Sequence, residues 1–358
     1  MKNSRELKYS EAIREAIDMC MQEDTSVFII GEGVPDPKGI FGTTVGLADK
    51  YGKSRVLDMP LSENALTGVC IGAALNGMRP IMTHQRMDFA LLSMDEIINN
   101  SAKWHYMFGG CSSVPLVIRM IIGRGWGQGA QHSQNLQALF AHVPGLKVVM
   151  PTSAYDAKGL LISSIEDNNP VIFIEHRWLH NITGYVPENM FRVPIGKAKI
   201  VNEGTDITIA SNSYMTIECI KAASLLKRIG VSVEVIDLRT IKPLDKDLII
   251  KSVKKTGRLL VVDSGWKSYG VAAEIIAGLI EENFYDVKCA PQRICLPDLP
   301  TPTSSGLTKY YYPNHRNIIK KVLVMLERGE KEVNDLLRVE QENEIPLDVP
   351  DLTFTGPF

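Results

Sequence analysis

The sequence predicts an α/β protein of two domains, each a mainly parallel sheet flanked by helices. The length of 358 residues exceeds that of a common single domain. Short apolar runs alternate with longer helix-like segments, as they do where parallel strands are joined by crossover helices. Residues 183–203 interrupt this alternation with glycines, prolines and few periodic apolar positions, which is typical of a linker.

The first domain is predicted to span residues 1–182. Its predicted helices are residues 9–21, 64–76, 89–106 and 154–166. Its predicted strands are residues 27–30, 79–82, 116–122, 147–150 and 171–175. The second helix contains ALTGVCIGAALN, and these small residues indicate that it packs closely against another surface.

A second α/β unit is predicted after the linker, over residues 204–326. Its predicted strands are residues 206–210, 232–237, 258–262 and 292–295, and its predicted helices are 216–229, 271–282 and 316–325. Residues 327–358 begin charged and end with Leu352, Phe354 and Phe358 among prolines and aspartates. They are predicted to form either a solvated tail or an arm that lies over a partner subunit.

Composition excludes several classes of partner. The net charge of −2 gives no reason to expect nucleic acid or an anionic membrane surface. No apolar run approaches the ~20 residues that a membrane span needs. Glu6, Glu11 and Glu15 near the N-terminus fit neither a secretory leader nor a transit peptide. The six cysteines are scattered without a CxxC, so a reduced, cytoplasmic location is expected.

A glycine-rich loop, GRGWGQGAQHSQ, follows the strand at 116–122 and carries His132 near its end. Glycine permits backbone conformations and close approaches that other residues do not. A histidine in such a loop can face a bound ligand, and it changes charge near neutral pH. His132 is therefore either a working acid/base or a plain loop residue, and the repeated glycines are hard to explain by packing alone.

Two further residues are candidates for function. Glu63 follows Ser62 at the start of the small-residue helix, where a capping serine and an acid in the first turn have an ordinary structural explanation. Phe89 lies at a strand-to-helix turn, where an aromatic residue commonly anchors a core. Taken alone, both residues favour the structural explanation.

Several cofactor motifs are absent from the sequence. It has no GxxxxGK[ST] phosphate loop, no GxGxxG between a strand and a helix, and no GxSxG elbow. It also lacks the GDG followed by Asn with which thiamine-diphosphate enzymes hold magnesium and pyrophosphate. Any charged cofactor must therefore be held partly by something else.

Five segments, in this order along residues 8–326, carry a family resemblance. They are RVLDMPLSENALTGVCIGAALNGMRPI, AQHSQNLQALFAHVPGLKVVMPTSAYDAKGLL, EDNNPVIFIE, VIDLRTIKPLD and DSGWKSYGVAAEI. Together they resemble the β subunit of the E1 component of 2-oxo acid dehydrogenases, in the transketolase-like family. That family decarboxylates a 2-oxo acid oxidatively and acylates lipoamide reductively.

The resemblance implies a fold and a set of partners. A thiamine-diphosphate pyrimidine-binding domain is expected to precede a transketolase C-terminal-like domain. An E1 α subunit in an α2β2 heterotetramer is expected to supply the GDG motif and to hold Mg²⁺ and pyrophosphate. A lipoyl acyltransferase E2 is a further candidate partner. This chain would then contain half of an active site and be active only with its α subunit.

The resemblance also implies roles for the candidate residues. Glu63 matches the glutamate that hydrogen-bonds N1′ of the aminopyrimidine and favours the imino tautomer, whose nitrogen deprotonates thiazolium C2. Phe89 matches the aromatic residue that packs on the pyrimidine ring. His132 matches the β-subunit histidine expected near the substrate carboxylate and the lipoyl acceptor, with a role in proton transfer.

A potassium ion is bound by main-chain carbonyl groups in some relatives. The corresponding carbonyl groups here belong to Leu116, Ser164, Ile165, Asp167 and Asn169. Main-chain ligation leaves little trace in a sequence. A helix that ends before Asn-Asn-Pro accounts for the same residues.

Three segments depart from the family pattern. They are Thr83-His84-Gln85-Arg86, the loop with Arg124 and Trp126, and Glu175-His176-Arg177-Trp178. Gln85, Arg86 and Arg124 are therefore candidates to contact substrate, and the cations would suit an anionic or polyhydroxylated one. They could equally pair with carboxylates of the α subunit. These departures suggest an enzyme of specialised substrate range.

Two other functions remain open at this point. A split transketolase or an acyloin synthase would transfer a two-carbon unit between carbonyl compounds without lipoamide, and Arg86 and Arg124 would suit its sugar phosphates. The QHSQ sequence around His132 favours the dehydrogenase. An inactive regulatory or interaction paralogue would be expected to have lost Glu63 or His132, and the chain retains both.

Overall fold

A computed structural model describes residues 5–124, 128–329, 332 and 336–337 of the chain. Trp126 and nearly all of the predicted tail, including Leu352, Phe354 and Phe358, lie outside these residues.

The N-terminal half contains short strands and helices in alternation. The strands are β1 (Glu6–Lys8), β2 (Val27–Ile30), β3 (Val56–Leu57), β4 (Arg79–His84), β5 (Val117–Ile122), β6 (Lys147–Val149), β7 (Val171–His176) and β8 (Thr183–Tyr185). The α-helices are α1 (Tyr9–Glu23), α2 (Leu47–Tyr51), α3 (Glu63–Leu75), α4 (Ala102–Met107), α5 (Gln137–His142) and α6 (Ala154–Glu166). Every residue of β2, β5 and β7 is buried, as expected for parallel strands covered on both faces.

The C-terminal half repeats the alternation. Its strands are β9 (Lys199–Asn202), β10 (Ile207–Ser211), β11 (Val233–Asp237), β12 (Thr240–Lys242), β13 (Leu259–Trp266) and β14 (Gln292–Leu296). Its α-helices are α7 (Ser213–Lys227), α8 (Lys246–Thr256), α9 (Val271–Asn283), α10 (Ser305–Tyr311) and α11 (His315–Met325). Helix α8 shows both capping signals: Asp245 accepts a bond from Leu248 N, and Gly257 follows in the left-handed conformation.

Within the described residues the strands form two main sheets. The first sheet has the order β12-β6-β7-β5-β4-β2-β3 and is parallel except for β12. The second sheet has the order β14-β13-β10-β11-β9 and is parallel except for β9. The α/β class with mainly parallel, helix-flanked sheets is therefore confirmed.

The two halves share structure at three places. Strand β12 belongs to the C-terminal half by sequence but pairs with β6 at the edge of the first sheet. The segment 183–203, predicted as a linker, contains β8, which pairs with β1, and β9, which joins the second sheet. Each apolar core also crosses between the halves: one contains Ile17 and Leu226, and the other contains Cys70 and Ile275.

The single helix predicted over residues 89–106 is wrong. A 3₁₀ helix (Met87–Ser93), a π-helical turn (Glu96–Ser101) and α4 follow one another instead. Side chains here bond within the helix: Asn99 to Asp95, Asn100 to Glu96, and Ser101 to the carbonyl of Ile97. Of these bonds, that of Ser101 uses a main-chain carbonyl and therefore competes with a regular α-helical ladder. The 3₁₀ helix gives Phe89 its position at the end of β4.

No helix within the described ranges is long and apolar enough to cross a membrane. None of the six cysteines forms a disulfide.

Candidate active site

The candidate site lies at the carboxyl ends of β2, β3, β4 and β5, where adjacent parallel strands release their loops at one edge. Hydrogen bonds tie these loops together. Gly33 N donates to Asp58 Oδ1 at 3.0 Å, and Gln85 Nε2 donates to the carbonyl of Glu32 at 2.9 Å. Gln85, predicted to contact substrate, therefore links the loops after β2 and β4.

Glu63 is the first residue of α3 and is only 5% exposed. Its backbone carbonyl accepts a bond from Thr67 Oγ1 at 2.7 Å, while no described residue hydrogen-bonds its carboxyl group. The pKa of the neighbouring Glu32 is raised, first by burial and then by the charges of Glu63 and Asp58. The start of α3 thus holds a largely buried acidic residue whose carboxyl group has no hydrogen-bond partner among the described residues.

Phe89 and His132 are brought into contact. Their ring centroids lie 5.4 Å apart with the planes at 89°, an edge-to-face arrangement. Phe89 is half-buried and His132 is exposed. Asp88 holds the two segments together, since its Oδ1 accepts bonds from the backbone N (3.3 Å) and Nε2 (2.9 Å) of Gln134. Burial raises the pKa of the Asp88 carboxyl group.

Arg86 is buried and bonded within the chain. Its Nη1 donates to the carbonyl of Gly123 at 2.6 Å, and its guanidinium group lies 5.6 Å from the centroid of the Phe41 ring. Burial, with a smaller contribution from Arg177, lowers the pKa of Arg86 to about 10. The structure therefore places Arg86 between the loops after β4 and β5.

Arg124 has a similar internal setting and is 3% exposed. Its Nε donates to the carbonyl of Gln128 at 3.2 Å, and its Nη2 donates to the carbonyl of Thr303 at 2.6 Å. The two arginines that sequence reasoning assigned to the substrate side both use their guanidinium groups on main-chain carbonyls.

A buried ionic network beneath the site was not predicted. Arg119 Nε donates to Glu175 Oε1 at 2.6 Å, its Nη2 donates to Thr43 Oγ1, and His180 Nε2 lies 3.2 Å from Glu175 Oε2. Burial opposes the charge of Glu175, but Arg119 and His180 hold its pKa down at about 2. An arginine inside the apolar strand VIRMII was the available signal, because a buried charge requires a partner.

Two buried histidines next to the site are held neutral. Burial lowers the pKa of His84 to about 4 and that of His176 to about 3. The His176 ring stacks on Tyr214 at 5.2 Å, and its Nδ1 accepts a bond from the backbone N of Trp178. Only the exposed His132, among these three, can exchange protons with solvent directly.

Four of the five carbonyl groups proposed to hold potassium accept hydrogen bonds from described residues. Arg79 Nη1 donates to the carbonyls of Ile165 (3.0 Å) and Asp167 (3.1 Å). The carbonyl of Leu116 accepts a bond from Val171 N, and that of Ser164 accepts one from Asp167 N. A bound ion would share these oxygens with their present donors.

The residues present fit one part of thiamine diphosphate. Glu63, whose carboxyl group has no hydrogen-bond partner among the described residues, lies on a helix that contacts the 3₁₀ helix of Phe89. A carboxyl group and an aromatic side chain suit an aminopyrimidine ring, which offers nitrogen atoms and a flat face. Among the described residues, no group of three or more His, Cys, Asp or Glu side chains could hold a metal ion.

Comparison with family models supports this fit. The model described as "Transketolase, pyrimidine binding domain" matches residues 5–181, and "Transketolase, C-terminal domain" matches residues 196–318. A split gene transketolase, solved as an inactive β4 tetramer, has a similar fold with a TM-score of 0.72 at 22% identity. That likeness covers 88% of this chain and 97% of the other.

Two bacterial proteins illustrate the sequence similarity. The β subunit of acetoin:2,6-dichlorophenolindophenol oxidoreductase from Cupriavidus necator is 43% identical over 325 residues, which cover 88% of this chain and 96% of that protein. The pyruvate dehydrogenase E1 component subunit β from Rickettsia felis is 42% identical over 312 residues, which cover 87% and 96%.

Proposed function

This chain belongs to the family of E1 β subunits of 2-oxo acid dehydrogenases, and we propose that it forms half of a thiamine-diphosphate-dependent E1 enzyme. The enzyme would decarboxylate a 2-oxo acid oxidatively and acylate lipoamide reductively. The observation that carries this proposal is the contact between Phe89 and His132 at the sheet edge where the buried Glu63 begins α3.

Each residue has a distinct task in the proposed chemistry. When bound, the cofactor supplies a nucleophilic carbon that attacks the substrate carbonyl and accepts the electrons of the broken C–C bond. Glu63 would hydrogen-bond a pyrimidine ring nitrogen, and its burial would exclude competing water. Phe89 would pack on the same ring. His132 is exposed, so it could transfer protons to substrate or to an acceptor arriving from solvent.

The remainder of the site is proposed to lie on an α subunit in an α2β2 assembly. The sequence contains no GDG motif followed by Asn, so the diphosphate and Mg²⁺ would be held by the partner chain. A lipoyl acyltransferase E2 would receive the acyl group. The purified chain alone should then be inactive with any 2-oxo acid, and turnover by it would contradict the half-site proposal.

The proposal also includes potassium binding by the main-chain carbonyl groups of Leu116, Ser164, Ile165, Asp167 and Asn169. Each carbonyl oxygen has two lone pairs, so an ion could share the first four of these oxygens with their present donors. Potassium chloride should then raise the thermal midpoint above that in sodium chloride at equal ionic strength. Equal midpoints would remove the ion from the proposal.

The two arginines that would suit a sugar phosphate have hydrogen-bond partners within the chain. Arg86 and Arg124 are buried and donate to the carbonyls of Gly123 and Thr303. A 2-oxo acid is therefore favoured over a ketose phosphate, and the specialised range proposed from the sequence concerns which 2-oxo acid is used.

A substrate panel tests the proposal directly. The chain is co-purified with its α-type partner, titrated with thiamine diphosphate, and assayed with pyruvate, branched-chain 2-oxo acids and ketose phosphates. We expect saturable cofactor binding and CO₂ release from a 2-oxo acid, coupled to lipoamide reduction. Activity on ketose phosphates alone would support the split transketolase instead, and no cofactor binding would support an inactive paralogue.

A further inference from the structure

The loop that carries His132 is bonded to the C-terminal half at both of its ends. We call the described residues 123–124 and 128–137, from the end of β5 to the first residue of α5, the His132 loop. Five hydrogen bonds join these described residues to the C-terminal half: Arg124 Nη2 to the carbonyl of Thr303 (2.6 Å), Thr301 Oγ1 to the carbonyl of Ser133 (3.4 Å), Asn135 Nδ2 to the carbonyl of Ser264 (2.6 Å), and Gln137 Nε2 to Asp263 Oδ1 (2.8 Å) and to Ser264 Oγ (3.5 Å).

Two loop glycines are required by close packing. A Cβ at Gly129 would collide with Oγ1 of Thr303, and a Cβ at Gly123 would lie 2.5 Å from Cε1 of His176. Gly123 also has a φ of +87°, which L side chains rarely adopt. The loop is therefore fitted against the C-terminal half at Gly129 and against β7 at Gly123.

Arg124 connects three parts of the molecule. Besides its bonds to Thr303 and to the carbonyl of Gln128, its own carbonyl accepts a bond from Trp178 Nε1 at 2.6 Å. Arginine is suited to this place because its planar guanidinium presents several N–H donors in fixed directions, which lysine does not. Gln128 precedes His132 by four residues, so Arg124 holds the backbone of this loop by a hydrogen bond four residues before the histidine.

The tryptophan that holds Arg124 is itself packed against the C-terminal half. The Trp178 ring meets Tyr214 of α7 edge to face at 5.0 Å and Tyr312 at 5.6 Å. These aromatic contacts fix the indole N–H that binds the loop. Residues beyond 210 therefore contact Arg124 directly through Thr303 and indirectly through the packing of Trp178.

These contacts support a functional assignment that rests on the role proposed above for His132. We propose that Arg124 is a positioning residue: with Thr303 and Trp178 it fixes the His132 loop to the C-terminal half, and it does not bind substrate. No hydrogen bond among the described residues joins Glu63 to the C-terminal half; its carbonyl accepts a bond from Thr67 of its own helix. Steps that need His132 should therefore depend on Arg124, whereas cofactor binding and C2 deprotonation should not.

The first test uses Arg124→Lys in the complex with the α subunit. Misplacing His132 should lower kcat for reductive acylation about 10- to 100-fold, with cofactor affinity and C2 hydrogen–deuterium exchange within about twofold of wild type. Amide exchange of a peptide covering residues 128–137 should become faster. Arg239→Lys is the matched control, because Arg239 is also buried and donates to a carbonyl, that of Lys197, away from the loop.

A second test does not remove the arginine. Gly129→Ala should lower acylation through its collision with Thr303, and Gly129→Ala with Thr303→Ala should recover most of the activity, because the colliding Oγ1 is gone. A general folding defect would not be rescued in this way. Lack of rescue would count against the loop contact.

Other outcomes separate this proposal from the proposed function. A raised KM for the 2-oxo acid at unchanged kcat in Arg124→Lys would make Arg124 a substrate ligand and overturn the positioning role. Wild-type behaviour of Arg124→Lys in every measurement would also overturn it. If His132→Ala leaves acylation unchanged, the proposed role of His132 fails instead.

Discussion

Glu63 and His132 lie at the same edge of the first sheet, but the chain supports them in different ways. Glu63 is buried at the start of a helix that packs against the 3₁₀ helix and β4 of the N-terminal half. His132 is exposed on a loop bonded to Thr303 and other residues of the C-terminal half. A largely buried acidic residue suits a ring that stays bound, whereas an exposed histidine suits an acyl acceptor that binds and dissociates.

The largest expected effect is that of Glu63→Gln. The amide keeps the shape of the side chain but removes the carboxyl group that would set the state of the pyrimidine. C2 hydrogen–deuterium exchange in the reconstituted complex should fall by at least about 100-fold while folding is retained. Glu234→Gln, a buried carboxyl group of the second sheet that pairs with Ser252 and Lys255, is the control. Unchanged exchange in Glu63→Gln would refute the assigned role.

His132→Ala should affect the other half of the site. Reductive acylation should fall by about 10²- to 10⁴-fold, the usual range for losing a general acid/base, while C2 exchange stays near wild type. The exposed side chain predicts little change in thermal midpoint. His105→Ala, at another exposed histidine, serves as control. A parallel loss of C2 exchange would show that His132 and Glu63 do not act in separate steps.

The buried histidines should contribute to the pH dependence of stability. The folded-state pKa of His84, about 4, lies below the ordinary value of 6.5, so the unfolded chain binds more protons between these limits. The stability that His84 contributes is thus fully present above pH 6.5 and is lost as pH decreases towards 4, by about 1.4 kcal/mol per pH unit.

The measurement is the free energy of unfolding between pH 7 and pH 5 for wild type and His84→Gln. The variant should have a smaller slope, whatever its stability at pH 7. An unchanged slope in His84→Gln would contradict the neutral, buried state of this histidine.

Phe89→Ala should give the smallest effect on function. Stacking on an aromatic ring contributes roughly 0.5–1.5 kcal/mol beyond burial, so cofactor affinity should fall by about 2- to 10-fold. Phe284→Ala, which removes an exposed aromatic ring, is the control. Because Phe89 also contacts His132, a larger loss in acylation than in affinity would reveal coupling between the two halves.

The sequence predicted the parts of the fold that have continuous apolar runs. VFII, VIRMII and VIFIEH each form a fully buried strand at the expected place. The prediction of a single helix over residues 89–106 was wrong. Ser101 Oγ donates to the main-chain carbonyl of Ile97 there, and apolar periodicity does not record such a bond. Strand β12 was missed because three residues, Thr-Ile-Lys, contain no detectable alternation.

The candidate site was predictable to a different extent. Motifs located Glu63, Phe89 and His132, and the structure brings Phe89 and His132 into contact, while their roles stay predictions. Charge alone suggested substrate binding for Arg86 and Arg124. Their partners are main-chain carbonyls of distant residues, and a main-chain carbonyl has no sequence signature. Such partners become visible only when the chain is folded.

Strand β12 also limits how this protein can be divided. Residues 240–242 pair with β6, and Met150 N donates to the carbonyl of Arg239. The edge strand of the first sheet therefore follows three strands of the second sheet in the sequence. A fragment ending near residue 203 would leave β6 with an unpaired edge, a surface that promotes association between chains. A chimera that exchanges the C-terminal half should therefore keep residues 239–242 matched to their N-terminal neighbours, because these residues complete the edge of the first sheet.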